Sequence, residues 1–141
     1  MSRPLPAGKK FSTELTVRPD DIDMNQHVHN SRYFDYVLAA RYDQMRRCYG
    51  MPMEEFLQLG FGWVVKVAHL VFKRPLNLGE TMIVTTWIEE MYDNGVKVQF
   101  TIAKKENGKL CCDGYFDYTM VNLATGRAAV IPETIREKYS V

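Results

Sequence analysis

The chain has 141 residues, 46% of them hydrophobic and 12% aromatic, enough to bury a core within one domain spanning residues 1–141. A formal charge of +1 argues against a general nucleic-acid binder, and no apolar run approaches the length of a membrane span. Cys48, Cys111 and Cys112 are an odd set with two adjacent members, which suits neither a disulfide framework nor a zinc site; they read as free thiols in a reducing compartment. The opening "MSRPLPAGKKF" has no apolar signal region, so the expectation is a cytoplasmic protein.

Residues 11–18, "FSTELTVR", alternate apolar and polar and predict a strand that Pro19 ends. A polar loop follows at 21–30, "DIDMNQHVHN". From about Asn30 the period becomes helical: Phe34, Val37, Leu38, Arg41, Met45 and Cys48 form a stripe. Asn30 or Ser31 can cap its start and Gly50 suits its stop, giving a helix near 18 residues. A second short helix fits between Pro52 and Gly60. "WVVKVAHLVF" at 63–72 is apolar on both faces, the pattern of a central strand covered on both sides, and His69 within it reads as a core residue. Strands follow at 81–91, 96–105 and 109–122, and Asp93-Asn94-Gly95 and Asn107-Gly108 between them are hairpin signals. Connections this short make the strands antiparallel. Thr125-Gly126 marks a turn, and 132–139 predicts a terminal helix. A largely apolar helix needs a sheet to cover it, so the order points to α+β architecture with one curled antiparallel sheet around one long helix.

The polar loop is the candidate site. Asp23 stands just before a helix start, where free backbone N–H groups and a positive dipole end can hold a developing oxyanion. A carboxylate there can act as base toward water or as nucleophile, with Asn25 orienting water or a carbonyl and His27 sharing proton transfer. The plainer reading is that Asp and Asn here only form a turn and a cap. A metal is disfavoured: His27 and His29 need further ligands, and the remaining histidine, His69, lies in an apolar strand.

The segment "VRPDDIDMNQHVHNSRYFDYVLAAR" at 17–41 resembles the hotdog-fold thioesterases of the 4-hydroxybenzoyl-CoA thioesterase type, whose D-x-D-x-x-G-H-V-N-N-x-x-Y motif stands here from Asp21 to Tyr33. "DIDMNQHVHN" is also similar to the D-x-N-Q-H-V-N-N segment of plant-type acyl-acyl carrier protein thioesterases. Gln26 stands where the shorter bacterial enzymes carry Gly, and His29 replaces the first Asn of the pair. The resemblance implies a hotdog fold and hydrolysis of acyl-CoA or acyl-carrier-protein thioesters without cofactor or metal. It implies Asp23 as the catalytic carboxylate, Asn25 and His27 completing the set, and the helix N-terminus near Asn30 and Tyr33 polarising the carbonyl. A single hotdog domain is expected to form a homodimer, or a dimer of dimers as a homotetramer, with the site at the subunit interface.

Trp63, Val65 and Val67, and on the helix Tyr33, Phe34 and Val37, are candidates to line an acyl pocket, with core packing as the competing role. Lys73 and Arg74 are candidates for the phosphates of CoA. Two rivals remain: a hotdog hydratase or dehydratase, against which the Asp-x-Asn-x-His order counts, and a non-catalytic acyl-CoA-binding module.

Overall fold

The computed structural model of the chain describes residues 3–4, 9–24 and 26–140. Strand β1 (Arg3–Pro4) is followed by β2 (Phe11–Thr16), in which Phe11, Thr13 and Leu15 are half-buried while Ser12, Glu14 and Thr16 are exposed. The alternation is the one expected, although the strand stops two residues early, and a single 3-10 turn, Pro19–Asp21, leads into the polar loop. Helix α1 (Asn30–Arg47) has the expected 18 residues. Its cap differs from expectation. His29 is the N-cap, no side chain caps the helix, and Asn30 is the first helical residue. Gly50 takes a φ of 69° just beyond the far end, a conformation favoured by glycine.

The buried stripe of α1 is also rotated from the one read in the sequence. Tyr33, Tyr36, Val37, Ala40, Arg41, Gln44 and Met45 are buried, whereas Phe34, Leu38 and Cys48 are only half-buried. Two tyrosines can turn inward because their hydroxyls are engaged: Tyr36 Oη donates to Asp21 Oδ2 at 2.6 Å, and Tyr33 Oη accepts the Leu76 N–H at 3.1 Å.

Helix α2 (Met53–Gln58) begins after Pro52, and strands β3 (Phe61–Phe72), β4 (Thr81–Met91), β5 (Gly95–Lys104) and β6 (Leu110–Asn122) follow before α3 (Glu133–Tyr139). The sheet is antiparallel in the order β1-β4-β5-β6-β3, with β2 pairing along the first half of β4. Val96, Val98, Phe100 and Ile102 on β5 face inward, as their alternation predicts. The hairpin signals hold: the Tyr92 N–H meets the Gly95 carbonyl at 2.7 Å, and Gly108 has a φ of 71°.

The strand expected to be central is instead at the sheet edge. Among the described residues β3 pairs only with β6, and Val64, Val67, Val71 and Phe72 are 41–45% exposed. Its two apolar faces therefore reflect uncovered surface rather than burial within this chain. His69 is accordingly no core residue; it is exposed and stacked on Tyr115 with ring centroids 5.2 Å apart. A register shift between Val65 and Val67 also breaks the shared face, so that Trp63 and Val65 turn partly inward and Val67 outward. Gly114 on β6 permits close approach to β3: a Cβ there would lie 1.7 Å from the His69 carbonyl oxygen.

Apolar packing forms two clusters along α1. One gathers Tyr33, Val37, Met82, Phe100 and Phe116. The other gathers Met45, Phe56, Met120, Ile135 and Tyr139, and α3 closes it, with Tyr139 stacked on Tyr49 at 4.5 Å and bonded to the Met51 carbonyl at 2.7 Å. Cys48, Cys111 and Cys112 are free thiols, the last two buried.

Candidate active site

The polar loop is closed by backbone hydrogen bonds and by the Asp23 carboxylate. Asp23 donates its N–H to the His27 carbonyl at 2.8 Å, Gln26 returns an N–H to the Asp23 carbonyl at 3.0 Å, and Asp23 Oδ1 accepts the His27 N–H at 3.2 Å. Such a turn is tight enough to force Gln26 to a φ of 64°, the one non-glycine residue with positive φ among those described. A bridge from Ile22 to Val28 closes the loop on itself, and a bridge from His27 to Asn77, with the Val28 N–H on the Leu76 carbonyl at 2.9 Å, fastens it to the β3–β4 connection.

Asp21 is a residue whose part was missed. It is 6% exposed, accepts the Tyr36 hydroxyl, and its other oxygen lies 3.5 Å from Arg32 Nε. Its carbonyl also takes the His29 N–H at 2.9 Å. Asp21 thus pins the loop to the first turns of α1, and burial together with this hydrogen bond pushes the Tyr36 hydroxyl pKa upward. The motif contains Asp21, but its contact with Tyr36 needs the helix already folded, so spacing alone does not reveal it.

A cleft of about 270 Å³ opens at the N-terminus of α1. Asp23, His27, Asn30, Tyr33, Lys73 and Arg74 all line it, joined by Phe72 and Pro75. Six of the residues singled out in the sequence therefore come together. Asn25 lies outside the described residues. Trp63 and Val65 do not line this cleft; Trp63 instead borders a separate apolar chamber further along α1.

The electrostatics of the cleft are mixed. No acid lies within the first turn of α1 itself and no side chain caps it. Lys73 and Arg74 stand exposed at the rim, Lys73 Nζ 3.1 Å from Asp113 and Arg74 Nη1 donating to the Leu110 carbonyl at 3.1 Å. Each keeps further N–H donors for an anion. Asp23 is half-buried and His27 exposed. Burial pushes Tyr33 up to about 12, against the Leu76 hydrogen bond that lowers it, so Tyr33 stays a neutral hydroxyl at physiological pH. Among the described residues no group of three or more His, Cys, Asp or Glu side chains is placed to hold a metal. A carboxylate, an imidazole, an uncapped helix end and a basic rim can together polarise a carbonyl and move a proton.

Residues 17–139 match the family model described as the thioesterase-like superfamily. The chain belongs to this superfamily. It has the hotdog fold and is a thioester hydrolase. Among curated relatives it is 23% identical over 128 residues to the long-chain acyl-CoA thioesterase FadM of Escherichia coli, covering 91% of this chain and 96% of that one. It is 23% identical over 135 residues to the chloroplastic palmitoyl-acyl carrier protein thioesterase of Gossypium hirsutum, covering 92% of this chain but 32% of the plant protein. Of solved structures, the hypothetical protein TT1821 from Thermus thermophilus superposes with a TM-score of 0.84 at 29% identity, over 92% of this chain and 96% of that one. The glycine that the resemblance places in the bacterial thioesterase loop now has a physical account: the turn at Gln26 requires positive φ, which glycine adopts at no steric cost. No helix among the described residues is long and apolar enough to cross a membrane.

Proposed function

We propose that the substrate is an acyl-CoA and that residues 1–141 form one hotdog domain built around the cleft at the N-terminus of α1. The observation that carries this reading is the convergence of Asp23, His27 and Asn30 with the basic pair Lys73 and Arg74. In this mechanism the thioester carbonyl lies against the N–H groups of the first turn of α1, which stabilise the developing oxyanion. Asp23 takes the proton from an attacking water, or attacks the carbonyl carbon itself to give a mixed anhydride that water then hydrolyses to the free acid and the Asp23 carboxylate; on either route the C–S bond breaks and CoA leaves as its thiol, with His27 supplying the proton. Asn25 orients the water. Lys73 and Arg74 meet the phosphates of CoA. Support for CoA over a carrier protein comes from this basic rim and from the FadM likeness, which spans 96% of that enzyme.

We further propose that two copies pair along β3, whose outer edge is unpaired among the described residues and whose valines are exposed. Val64→Lys is expected to give monomers in analytical ultracentrifugation; an unchanged dimer would place the interface elsewhere.

The primary test is thiol release from short-chain, long-chain and aromatic acyl-CoAs by wild type and Asp23→Asn in parallel. Asp23→Asn should lower kcat by at least about 100-fold, the scale of a lost general base, with an unchanged melting temperature. Near-normal turnover in the folded variant removes Asp23 from the chemistry. Single turnover in ¹⁸O-labelled water tests the direct route: label in the carboxyl of Asp23 marks a mixed anhydride opened by water at the aspartyl carbonyl.

A further inference from the structure

A second cavity, of about 250 Å³, opens between α1, β3, β6 and α3. Leu38, Met45, Met53 and Ile135 supply hydrocarbon walls. Of the polar side chains that line it, Tyr42 donates to Glu54 and Tyr139 to the Met51 carbonyl, which leaves Arg41, Trp63 and Tyr118. Arg41 Nη1, Trp63 Nε1 and Tyr118 Oη are all buried and without a hydrogen-bond partner among the described residues. Arg41 is only 7% exposed, and no carboxylate among the described residues forms an ion pair with it. Its guanidinium carbon sits 5.4 Å from the Tyr49 ring centre, a contact that eases the charge but engages no N–H.

These groups share one chemical character. A guanidinium stays charged at any accessible pH, and the indole N–H can only donate. Burial holds Tyr118 up at about 12, although the Arg41 charge lowers it, so its hydroxyl keeps its proton and can donate. A buried cation with no counter-charge is unfavourable, and its complement is an anionic oxygen. Carboxylate chemistry at the tip of a hydrocarbon fits both the donors and the walls.

The position fits as well. Phe34 and Leu38, one turn apart and both half-buried, run from Asn30 in the cleft to the chamber, which Leu38 also lines. Arg41 lies about 16 Å beyond Asn30 along the helix axis, at roughly 1.5 Å per residue. A long acyl chain laid on this stripe would hold its carbonyl at the helix N-terminus and its far end at Arg41.

We propose that this chamber receives the distal end of the acyl group and that Arg41, aided by Trp63 and Tyr118, binds a carboxylate there, which makes long-chain ω-carboxyacyl thioesters the preferred substrates. The inference rests on the thioesterase cleft described above. An unsubstituted alkyl tail would desolvate Arg41 without pairing it and is disfavoured for that reason.

The test compares tetradecanoyl-CoA with the mono-CoA thioester of tetradecanedioic acid, read as a ratio of kcat/KM. Wild type should favour the ω-carboxy substrate by about tenfold or more, and Arg41→Met should lower that ratio by at least about tenfold, the scale of one charge-assisted hydrogen bond. Tyr118→Phe and Trp63→Phe should each lower it severalfold, and they carry the test if Arg41→Met does not fold. A wild-type preference for tetradecanoyl-CoA, or a ratio that none of the folded variants changes, overturns the proposal. If no thioester is hydrolysed at all, the cleft reading has failed, and the chamber is read by binding alone. Free tetradecanedioate should then raise the Tm of wild type more than tetradecanol does, with the difference reduced in Tyr118→Phe. Equal shifts from the two ligands, or no shift from either, overturn it.

Discussion

Gln44 and Arg41 stand one turn apart on α1, both buried, and their surroundings are opposite. Gln44 is fully buried against β2 and β4: its amide nitrogen donates to Thr13 Oγ1 at 3.1 Å and to the Val84 carbonyl at 3.4 Å, and its oxygen accepts the Thr86 hydroxyl. Thr13 in turn donates to Asp43 at 2.7 Å, and Arg47 Nη2 reaches the Ser12 carbonyl at 2.8 Å. Toward β3 and β6, Arg41, Trp63 and Tyr118 border an open apolar chamber with polar atoms that engage no partner among the described residues, and the outer edge of β3 pairs with none of those residues. The first face is complete within the chain. The second is shaped to be completed by something else. In buried sites a satisfied polar network positions the fold, whereas an unsatisfied one marks where a ligand or partner is expected.

Removing a member of the finished network should have the largest effect. Gln44→Ala leaves Thr86 without its acceptor and opens a cavity, so urea unfolding should show a loss of about 3 kcal/mol. A loss below about 1 kcal/mol would mean that the network does not hold α1 to β4. A sharper comparison deletes one hydroxyl from each face. Thr86→Val strands the Gln44 oxygen and should cost about 1–3 kcal/mol, while Tyr118→Phe removes an unengaged hydroxyl and should be neutral or stabilising by up to about 1 kcal/mol. Equal destabilisation by the two would show that the chamber side is already satisfied in the free protein. The smallest effect belongs to a position outside both faces. Gln26→Gly relieves a left-handed φ but adds freedom to the unfolded chain, and the terms nearly cancel, leaving a gain of under about 1 kcal/mol by thermal melting. A marked loss would mean that the Gln26 side chain itself holds the loop.

Legibility in the sequence followed the range of the interactions. The span of α1, the alternation of β5 and the Asn-Gly turns are local, and the structure has them where the pattern puts them. The loop at 21–30 was visible as a dense run of polar groups, and the basic pair at 73–74 as a charge cluster; the cleft brings both together. His69, Val67 and the sheet position of β3 were misread for a single reason. An apolar run looks the same whether covered by its own chain or left bare, and only the strand order distinguishes the two. Asp21 and Gln26 belong to the motif, but the buried contact of Asp21 and the φ of Gln26 depend on how the loop closes on α1 and on the β3–β4 connection.

By itself the sequence determined the elements, their antiparallel order and the chemical content of the loop, because these follow from backbone propensity, side-chain periodicity and turn chemistry within a few residues. Only the tertiary structure decided which face of α1 is buried, that β3 is an edge, and that Arg41, Trp63 and Tyr118 surround one apolar chamber. Those outcomes join residues from α1, β3 and β6 that are far apart along the chain, and curling the sheet around the helix is what brings them within reach of one another.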